Sequence, residues 1–362
     1  MRLMLTGGGT GGHIYPALAI ARACLERCGP GPVLFVGARG GMEQELVPAA
    51  GFDFVGLPVR GLVRKRPAEA AAALGPLVAA VLQALGAVRR FRPDVVVGTG
   101  GYAAGPVGRA AVLRRTPLVL QEQNAVPGVT NRLLAPFAAA VAVPYPAARA
   151  HFPSRTRLLV AGNPVRPGLG AGTPAEARRR LGLPGGARLV LMMAGSRGSA
   201  VFVRLLGELL PHLTDGILLF VSGREHHAAA LRAAAGHERR VRVLPYLEAV
   251  GDAWVAADLV VCRAGAMTLA ELAAVGRAAL LIPSLHVTHH HQEANAAAFA
   301  ASGAAEVLPE PGLDGRVLAA AIGRLLADPG RRAVLAAAAR GLDRPDALRQ
   351  VVDAILAAAR RR

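Results

Sequence analysis

A chain of 362 residues is long enough for two domains, and its 53% apolar residues, largely alanine, can fill the cores of both. Three cysteines in a chain of this length exclude a disulfide-stapled secreted fold and fit a reducing cytoplasm. The formal charge of +18 predicts acidic partners, namely phosphates, anionic lipid or nucleic acid.

Short apolar runs alternate with alanine-rich helical stretches along nearly the whole chain. Near-continuous apolar strands separated by helices are typical of parallel sheets that are buried on both faces, so we predict a doubly wound α/β architecture. The predicted strands are Arg2–Thr6, Val33–Gly37, Asp94–Gly98, Leu118–Gln121 and Ala140–Pro144, followed by Arg188–Ala194, Ile217–Ser222, Val241–Leu244, Leu259–Cys262, Ala279–Pro283 and Ala305–Leu308.

Glycine-rich loops follow three of these strands. The stretch "TGGGTGGHIYPALAIA" begins at Thr6 and puts the loop Gly7–Gly12 between the first strand and a helix. Similar loops are "GTGGYAAGP" from Gly98 and "AGSRGSA" from Ala194. A strand, glycines and a helix N-terminus offer backbone N–H groups to an anion. Three such loops predict phosphate binding in both halves of the chain.

Two common phosphate-binding classes do not fit the first loop. A dinucleotide site predicts an acid at the end of the second strand, but this strand runs into Ala38-Arg39. A P-loop NTPase needs a lysine where Gly12 is followed by His13. A hydride-transfer enzyme and a P-loop NTPase are therefore both disfavoured.

A domain boundary is predicted where glycines and prolines cluster between Gly162 and Pro174. Thr173 then has the character of an N-cap, with Pro174 at the first helical position. The domains would span residues 1–163 and 164–342. The last stretch, Pro345–Arg362, is predicted to be a helix that could pack on either domain.

The segment "CRAGAMTLAEL" carries two alternative interpretations. Thr268 and Glu271 have the spacing of a capping box, and spacing alone favours that structural role. Alternatively, the Glu271 carboxylate accepts hydrogen bonds from the ribose hydroxyls of a nucleotide, and the backbone N–H groups of Met267 and Thr268 meet its diphosphate.

Taken in order, the motifs "GGTGGHIYPALAIA", "GTGGYAAGP", "EQNAVPGVTN", "AGNPVR", "CRAGAMTLAEL" and "HQEANA" resemble the MurG family. That family transfers N-acetylglucosamine to lipid I to form lipid II in peptidoglycan synthesis. The resemblance runs from Leu5 to about Gly303. It implies a GT-B fold, in which two Rossmann-like domains of parallel sheet and helices face a cleft, and a C-terminal helix of about residues 343–362 returns to the first domain.

The same resemblance implies roles for individual residues. Glu271 would bind ribose, Arg166 and Arg263 would bring positive charge to the diphosphate, and the main chain of Leu247 would face uracil. The donor side comprises Arg166, Ser196, Leu247, Arg263, Met267, Thr268, Glu271, Gln292 and Asn295. The acceptor side comprises Thr10, Gly11, Gly12, Gly100, Gly101, Tyr102, Asn124 and Asn131.

Three positions depart from the family pattern. Gln121 stands where a histidine commonly precedes Glu-Gln-Asn, and the phosphate loop carries Arg197 instead of glutamine. "THHHQ", which ends at Gln292, replaces a more usual acidic residue before His-Gln.

The implied reaction inverts the anomeric carbon and needs a base for the acceptor hydroxyl and charge stabilisation for the leaving diphosphate. His13 is the candidate base, although it could instead donate a hydrogen bond to the acceptor diphosphate or to a backbone carbonyl. The sequence has no Asp-x-Asp, and consecutive side chains such as His289-His290-His291 point apart on a helix, so we predict neither metal nor cofactor.

A lipid-linked acceptor requires docking at a membrane. The basic loop "RGLVRKRP" from Arg60 precedes apolar residues at helical spacing, and arginines follow at positions 89, 90 and 92. This predicts peripheral binding to an anionic membrane surface on its cytoplasmic face, with a buried crossover helix as the alternative. Polar interruptions between Ala68 and Val88 disfavour a membrane span, and no signal peptide is expected. The apolar stripe comprises Leu74, Leu77, Val78, Val81, Leu82 and Leu85.

Two rival functions remain. A glycolipid synthase that transfers hexose to diacylglycerol would share the fold but would prefer another donor sugar. A nucleic-acid-binding protein would explain the charge, but the chain has only Trp254 and four tyrosines for base stacking and no recognised motif, so no nucleic-acid partner is expected.

Overall fold

The computed structural model describes residues 1–59, 74–166, 168–195, 198–285 and 291–360. The chain forms two compact units, one of Met1–Val165 with Arg344–Arg362 and the other of Arg166–Asp343. Each unit has its own parallel sheet and its own core on both sheet faces.

The first unit is built on a seven-stranded sheet. Its strands are β1 Leu3–Gly7, β2 Val33–Ala38, β3 Asp53–Leu57, β4 Val95–Gly100, β5 Leu118–Gln121, β6 Ala140–Val143 and β7 Leu158–Val160. Their order across the sheet is β3-β2-β1-β4-β5-β6-β7, and all the pairings are parallel. The connecting helices are α1 Gly11–Cys28, α2 Glu43–Ala49, α3 Leu74–Phe91, α4 Ala104–Leu113 and α5 Val129–Leu134, with 3-10 turns at Ala135–Phe137 and Pro146–His151.

The second unit has a six-stranded parallel sheet. Its strands are β8 Leu189–Met193, β9 Ile217–Val221, β10 Val241–Leu244, β11 Leu259–Cys262, β12 Ala279–Leu281 and β13 Glu306–Val307, in the order β10-β9-β8-β11-β12-β13. Its helices are α6 Pro174–Arg180, α7 Ala200–Leu209, α8 His227–Ala234, α9 Val250–Ala256, α10 Ala266–Val275, α11 His291–Ala301, α12 Gly315–Ala327 and α13 Pro329–Gly341, with a 3-10 turn at Leu210–His212.

The last helix, α14 Ala347–Ala359, packs on the first unit beside α1. Val351, Val352 and Ile355 are buried in the same core as Leu3 and Ile14. Burying an aliphatic side chain of this size contributes about 1.5–3 kcal/mol, so α14 is an integral part of this unit.

Every strand predicted from the sequence is present, with ends that differ by at most two residues. Two further strands, β3 and β7, were not predicted, and both lie at the edges of the first sheet. Asp53 and Val55 of β3 and Val160 of β7 are exposed. β3 begins with the exposed Asp53 and contains Gly56, and β7 is only three residues long, so neither gives the longer apolar run by which the inner strands are recognised.

The strand order of each sheet determines where the loops of the predicted site lie. In each sheet the order reverses beside the first strand, between β1 and β4 and between β8 and β11. Ligands of open α/β sheets bind outside the carboxyl ends of the strands at this point. The three glycine-rich loops and the segment after β11 all begin there.

Candidate active site

The first two glycine loops lie directly against each other. A Cβ on Gly101 would lie 2.3 Å from the Gly8 carbonyl oxygen, and Gly101 has φ +86°. Only glycine fits such an approach. Thr10 is the N-cap of α1 in extended conformation, and its side chain makes no capping bond. The backbone N–H groups at the N-terminus of α1, at Gly11 and Gly12, therefore have no side-chain cap and suit an anion.

A buried carboxylate that was not foreseen shapes the first loop from inside. Glu43 accepts hydrogen bonds from the backbone N–H of Gly9 at 3.0 Å and of Ala38 at 2.8 Å. It is 1% exposed. The sequence signal was an acid five residues beyond β2, later than a ribose ligand would stand. In this structure it binds the loop backbone.

His13 is held by one of its two ring nitrogens. Nδ1 lies 2.8 Å from the Thr99 carbonyl oxygen and 2.7 Å from Gln123 Oε1. No protein hydrogen bond to Nε2 occurs among the described residues. A Cβ on Gly100 would lie 2.9 Å from the imidazole, so glycine makes room for the ring. The predicted carbonyl contact thus exists, and it leaves Nε2 for another partner.

The loop after β5 is organised by Glu122, which the sequence analysis did not single out. Its buried carboxylate accepts from the backbone N–H groups of Gln123 and Asn124 at 2.9 Å and of Gly128 at 3.0 Å. It also accepts from the side chains of Asn124 at 3.1 Å and Asn131 at 2.8 Å. Asn131 is buried and shapes this loop, whereas Asn124 is partly exposed.

The first unit therefore brings most of its predicted acceptor residues together at the carboxyl ends of its strands. Thr10 and Tyr102 are exposed there, and a Cβ on Gly9 would lie 3.5 Å from the Tyr102 ring. Gly11 and Gly12 begin α1, Gly100 ends β4, and Gly101 and Asn124 lie in the loops that follow β4 and β5.

In the second unit, Glu271 is not part of a capping box, so the structural interpretation of Thr268 and Glu271 was wrong. Helix α10 begins at Ala266 and its N-cap is Gly265, which puts Thr268 inside the first turn. Glu271 instead accepts from the Trp254 indole N–H at 3.1 Å and lies 3.7 Å from an Arg166 nitrogen. Burial raises the pKa of the Glu271 carboxyl, and the Arg166 charge opposes that rise.

Arg263 is paired within the protein. Its guanidinium forms a buried ion pair with Glu310, donates to the Ile282 carbonyl at 3.1 Å and to Ser199 Oγ at 3.0 Å, and lies 4.8 Å above the Phe202 ring. Burial lowers the pKa of this guanidinium, and Glu310 opposes the shift. The charge predicted for the diphosphate is thus balanced by Glu310, and Arg263 contacts the phosphate loop through Ser199, the N-cap of α7.

The remaining donor-side residues are placed as follows. Gln292 accepts from the Ser284 backbone N–H at 2.9 Å, and the buried Asn295 donates to the Ala264 carbonyl at 3.2 Å. Leu247 is half-buried after β10, and Met267 is half-buried in the first turn of α10. Ser196, Arg197, the basic loop from Arg60 and the histidines 289 and 290 lie outside the described residues.

Across the described ranges, no three His, Cys, Asp or Glu side chains lie close enough together to hold a metal ion. Nor is any helix in that part of the chain long and apolar enough to cross a membrane.

The chain is similar to known proteins over nearly its full length. It matches the glycosyltransferase family 28 N-terminal domain over residues 3–143 and the family 28 C-terminal domain over residues 189–351. The UDP-N-acetylglucosamine–N-acetylmuramyl-(pentapeptide) pyrophosphoryl-undecaprenol N-acetylglucosamine transferase of Symbiobacterium thermophilum is 45% identical, with 99% of this chain and 97% of that protein aligned. The protein of the same name from Desulforudis audaxviator is 40% identical, with 98% of each chain aligned.

A solved structure agrees with these relatives. The crystal structure of Acinetobacter baumannii MurG superposes with a TM-score of 0.78 at 30% identity, covering 98% of this chain and 99% of that one. The fold of two parallel-sheet domains is thus shared with a solved MurG structure. The chain belongs to glycosyltransferase family 28 and, within it, to the MurG family of N-acetylglucosaminyltransferases.

Proposed function

We propose that this chain transfers N-acetylglucosamine from UDP-GlcNAc to the muramoyl O4 of lipid I, forming lipid II with inversion at the anomeric carbon. Sequence identities of 45% and 40%, over nearly the full length, to transferases named for this reaction support the assignment. The observation that carries the chemistry is the imidazole of His13, bound through Nδ1 beside two glycine loops suited to a diphosphate.

His13 is proposed as the base. Its Nε2 takes the proton of the acceptor hydroxyl while the hydroxyl oxygen attacks the anomeric carbon and the sugar–diphosphate bond breaks. The leaving diphosphate is stabilised by the N-termini of α7 and α10 and by Arg166, so the proposed reaction uses no metal. Glu271 binds the ribose hydroxyls, and Gln292 and Asn295 are assigned to the sugar.

Transfer of labelled N-acetylglucosamine to a short-chain lipid I analogue, in excess chelator, tests donor, acceptor and metal independence together. Label is expected in the lipid product. UDP binding without transfer would contradict the acceptor assignment. Loss of transfer that added magnesium restores would contradict metal independence, and better competition by UDP-galactose would favour a glycolipid synthase.

Binding of UDP is expected to change the emission of Trp254, the only tryptophan, because its indole N–H is bonded to Glu271. Glu271→Gln should weaken UDP binding about tenfold or more, since a hydrogen bond to a charged group is lost. Because the pKa of Glu271 is raised, its carboxylate takes up a proton at a higher pH than an ordinary glutamate. Affinity should therefore begin to fall at that higher pH as the solution is acidified.

Fluorescence titration with UDP across pH measures both effects. In Glu271→Gln the acid-side fall in affinity should be smaller than in the wild type, because only protonation of the terminal phosphate of UDP then contributes to it. The exposed Glu238→Gln, in the same unit, is the matched control and should behave as the wild type. An unchanged UDP affinity in Glu271→Gln would refute the ribose assignment.

We also propose peripheral binding of the first unit to anionic lipid. In α3 one face is buried, through Ala80, Ala84 and Val88, while Val78 and Leu82 are 58% and 63% exposed. The helix thus serves both as a packed crossover and as an exposed apolar surface. Further exposed apolar side chains lie on α4, α5 and the turn after it, at Leu113, Leu133 and Phe137, and exposed arginines accompany them at 89, 90, 114, 115 and 132.

Sedimentation with vesicles tests this proposal. Leu82→Asp is expected to reduce binding to anionic vesicles several-fold, because a charge replaces apolar area that would insert at the interface. Added salt should weaken wild-type binding. Val317→Asp, at a similarly exposed position of the second unit, should change nothing. Equal wild-type binding to neutral and anionic vesicles would contradict the electrostatic part.

A further inference from the structure

The surroundings of His13 determine which of its nitrogens carries the proton. The Thr99 carbonyl oxygen near Nδ1 can only accept a hydrogen bond. The Gln123 amide is oriented by its own nitrogen, which donates to the Thr99 and Gln121 carbonyl oxygens at 2.8 and 3.0 Å. Gln123 therefore also turns an oxygen toward Nδ1. With two acceptors facing Nδ1, a neutral ring carries its hydrogen there and leaves Nε2 as an acceptor.

Gln123 is itself fixed by a closed set of buried amides. Its nitrogen also donates to Gln121 Oε1, and the Gln121 nitrogen donates to Asn163 Oδ1 at 3.1 Å. The Asn163 side-chain nitrogen in turn donates to the Gln123 backbone carbonyl oxygen at 2.9 Å, which closes the set. The side chains of Gln121, Gln123 and Asn163 are at most 6% exposed, so solvent does not compete for these bonds.

The chemistry at this position calls for an amide. Since the Gln123 nitrogen faces two carbonyl oxygens and the Gln121 side-chain oxygen, a carboxylate there would meet three acceptors. A glutamine can present an acceptor to the imidazole and a donor to the protein at the same time.

We propose that Gln123 is a positioning residue, anchored by Gln121 and Asn163, that holds His13 in the Nδ1–H form so that Nε2 receives the acceptor proton. The inference rests on the proposed role of His13 as base. As the acceptor oxygen bonds to the anomeric carbon and the electron pair of the broken bond leaves with UDP, the proton moves to Nε2. The resulting imidazolium keeps donating through Nδ1 to Gln123 and Thr99.

A double-mutant cycle of Gln123→Met and His13→Ala tests the proposal. Gln123→Met should lower kcat about tenfold, the effect of losing one orienting hydrogen bond, with KM for UDP-GlcNAc unchanged. In the His13→Ala background the same substitution should cost no further activity, because the group it positions is absent. Gln350→Met, which removes a glutamine from α14, is the matched control and should keep the wild-type kcat.

The outcomes separate the two proposals. If Gln123→Met lowers kcat equally in both backgrounds, its role is structural and the positioning proposal fails. If His13→Ala loses activity and Gln123→Met does not, the positioning proposal again fails while the base assignment stands. If His13→Ala itself keeps wild-type activity, the base assignment fails.

A spectroscopic measurement on the wild-type enzyme covers the case in which Gln123→Met does not fold. Nitrogen-15 NMR of labelled histidine distinguishes Nδ1–H from Nε2–H rings, and loss of one signal set in His13→Ala assigns the residue. The Nδ1–H form is expected for His13. An Nε2–H ring would overturn the proposal.

Discussion

Replacing Glu310 with alanine should lower the free energy of unfolding of the second unit by about 3–5 kcal/mol, the cost of leaving a buried charge without its partner. The side chains of Arg263 and Glu310 are only 8% and 9% exposed, so water cannot replace the lost carboxylate. Arginine also cannot escape by losing its proton. The remaining partners, the Ile282 carbonyl and Ser199 Oγ, are neutral.

Denaturant unfolding followed by Trp254 emission measures this change, because the only tryptophan is buried in the second unit. Asp215→Ala is the matched control, since it breaks the Arg188–Asp215 pair, whose side chains are about half exposed. Exposed pairs of this kind contribute at most about 1 kcal/mol. Similar small losses in both variants would contradict the buried-pair argument.

Removing both partners separates the charge from the packing. Arg263→Met with Glu310→Leu should recover much of the stability lost in Glu310→Ala, because no charge is then buried alone. The same double variant should still raise KM for UDP-GlcNAc, since Ser199 at the start of α7 loses its bond to Arg263. The double variant would thus regain stability relative to Glu310→Ala and still bind the donor less well than the wild type.

The sequence predicted the inner strands and the glycine loops because both are local patterns. A buried parallel strand is a continuous apolar run, and a glycine loop after it marks a switch point in the sheet order. β3 is interrupted by Asp53 and Gly56, and β7 has only three residues, so neither shows a run of that length, and both were missed for that reason. The residues around the predicted site were accordingly found more readily than these two edge strands of the first sheet.

The partners of the site residues could not be predicted from spacing. Gln123 is 110 positions from His13, and Glu310 is 47 positions from Arg263. These pairs form because parallel strands bring loops that are distant in sequence together at the carboxyl ends of the sheet. The prediction of a Thr268–Glu271 capping box was wrong for a related reason. Helix α10 starts at Ala266, shortly after the end of β11, so the path of the chain in the fold overrides the local capping signal.

His13→Ala should lower kcat by about 10²- to 10⁴-fold, the usual contribution of a positioned general base. KM for UDP-GlcNAc should change little, since the residues assigned to the donor belong to the second unit and His13 to the first. His13→Asn retains an amide that can donate to Thr99 and Gln123 but offers no basic nitrogen, so it should be as inactive as His13→Ala while unfolding more like the wild type. His151→Ala, an exposed histidine of the same unit, should be fully active.

Saturation with the lipid acceptor decides between the two roles open to His13. A residue that only binds the acceptor diphosphate raises the acceptor KM, and its loss is recovered at high acceptor concentration. A base acts on the bound complex, so the loss in kcat persists at saturation. The arrangement around the ring favours the second result, because Nδ1 already contacts the Thr99 carbonyl and Gln123. In the neutral ring Nε2 is therefore an acceptor, and it cannot bind a phosphate oxygen that also accepts.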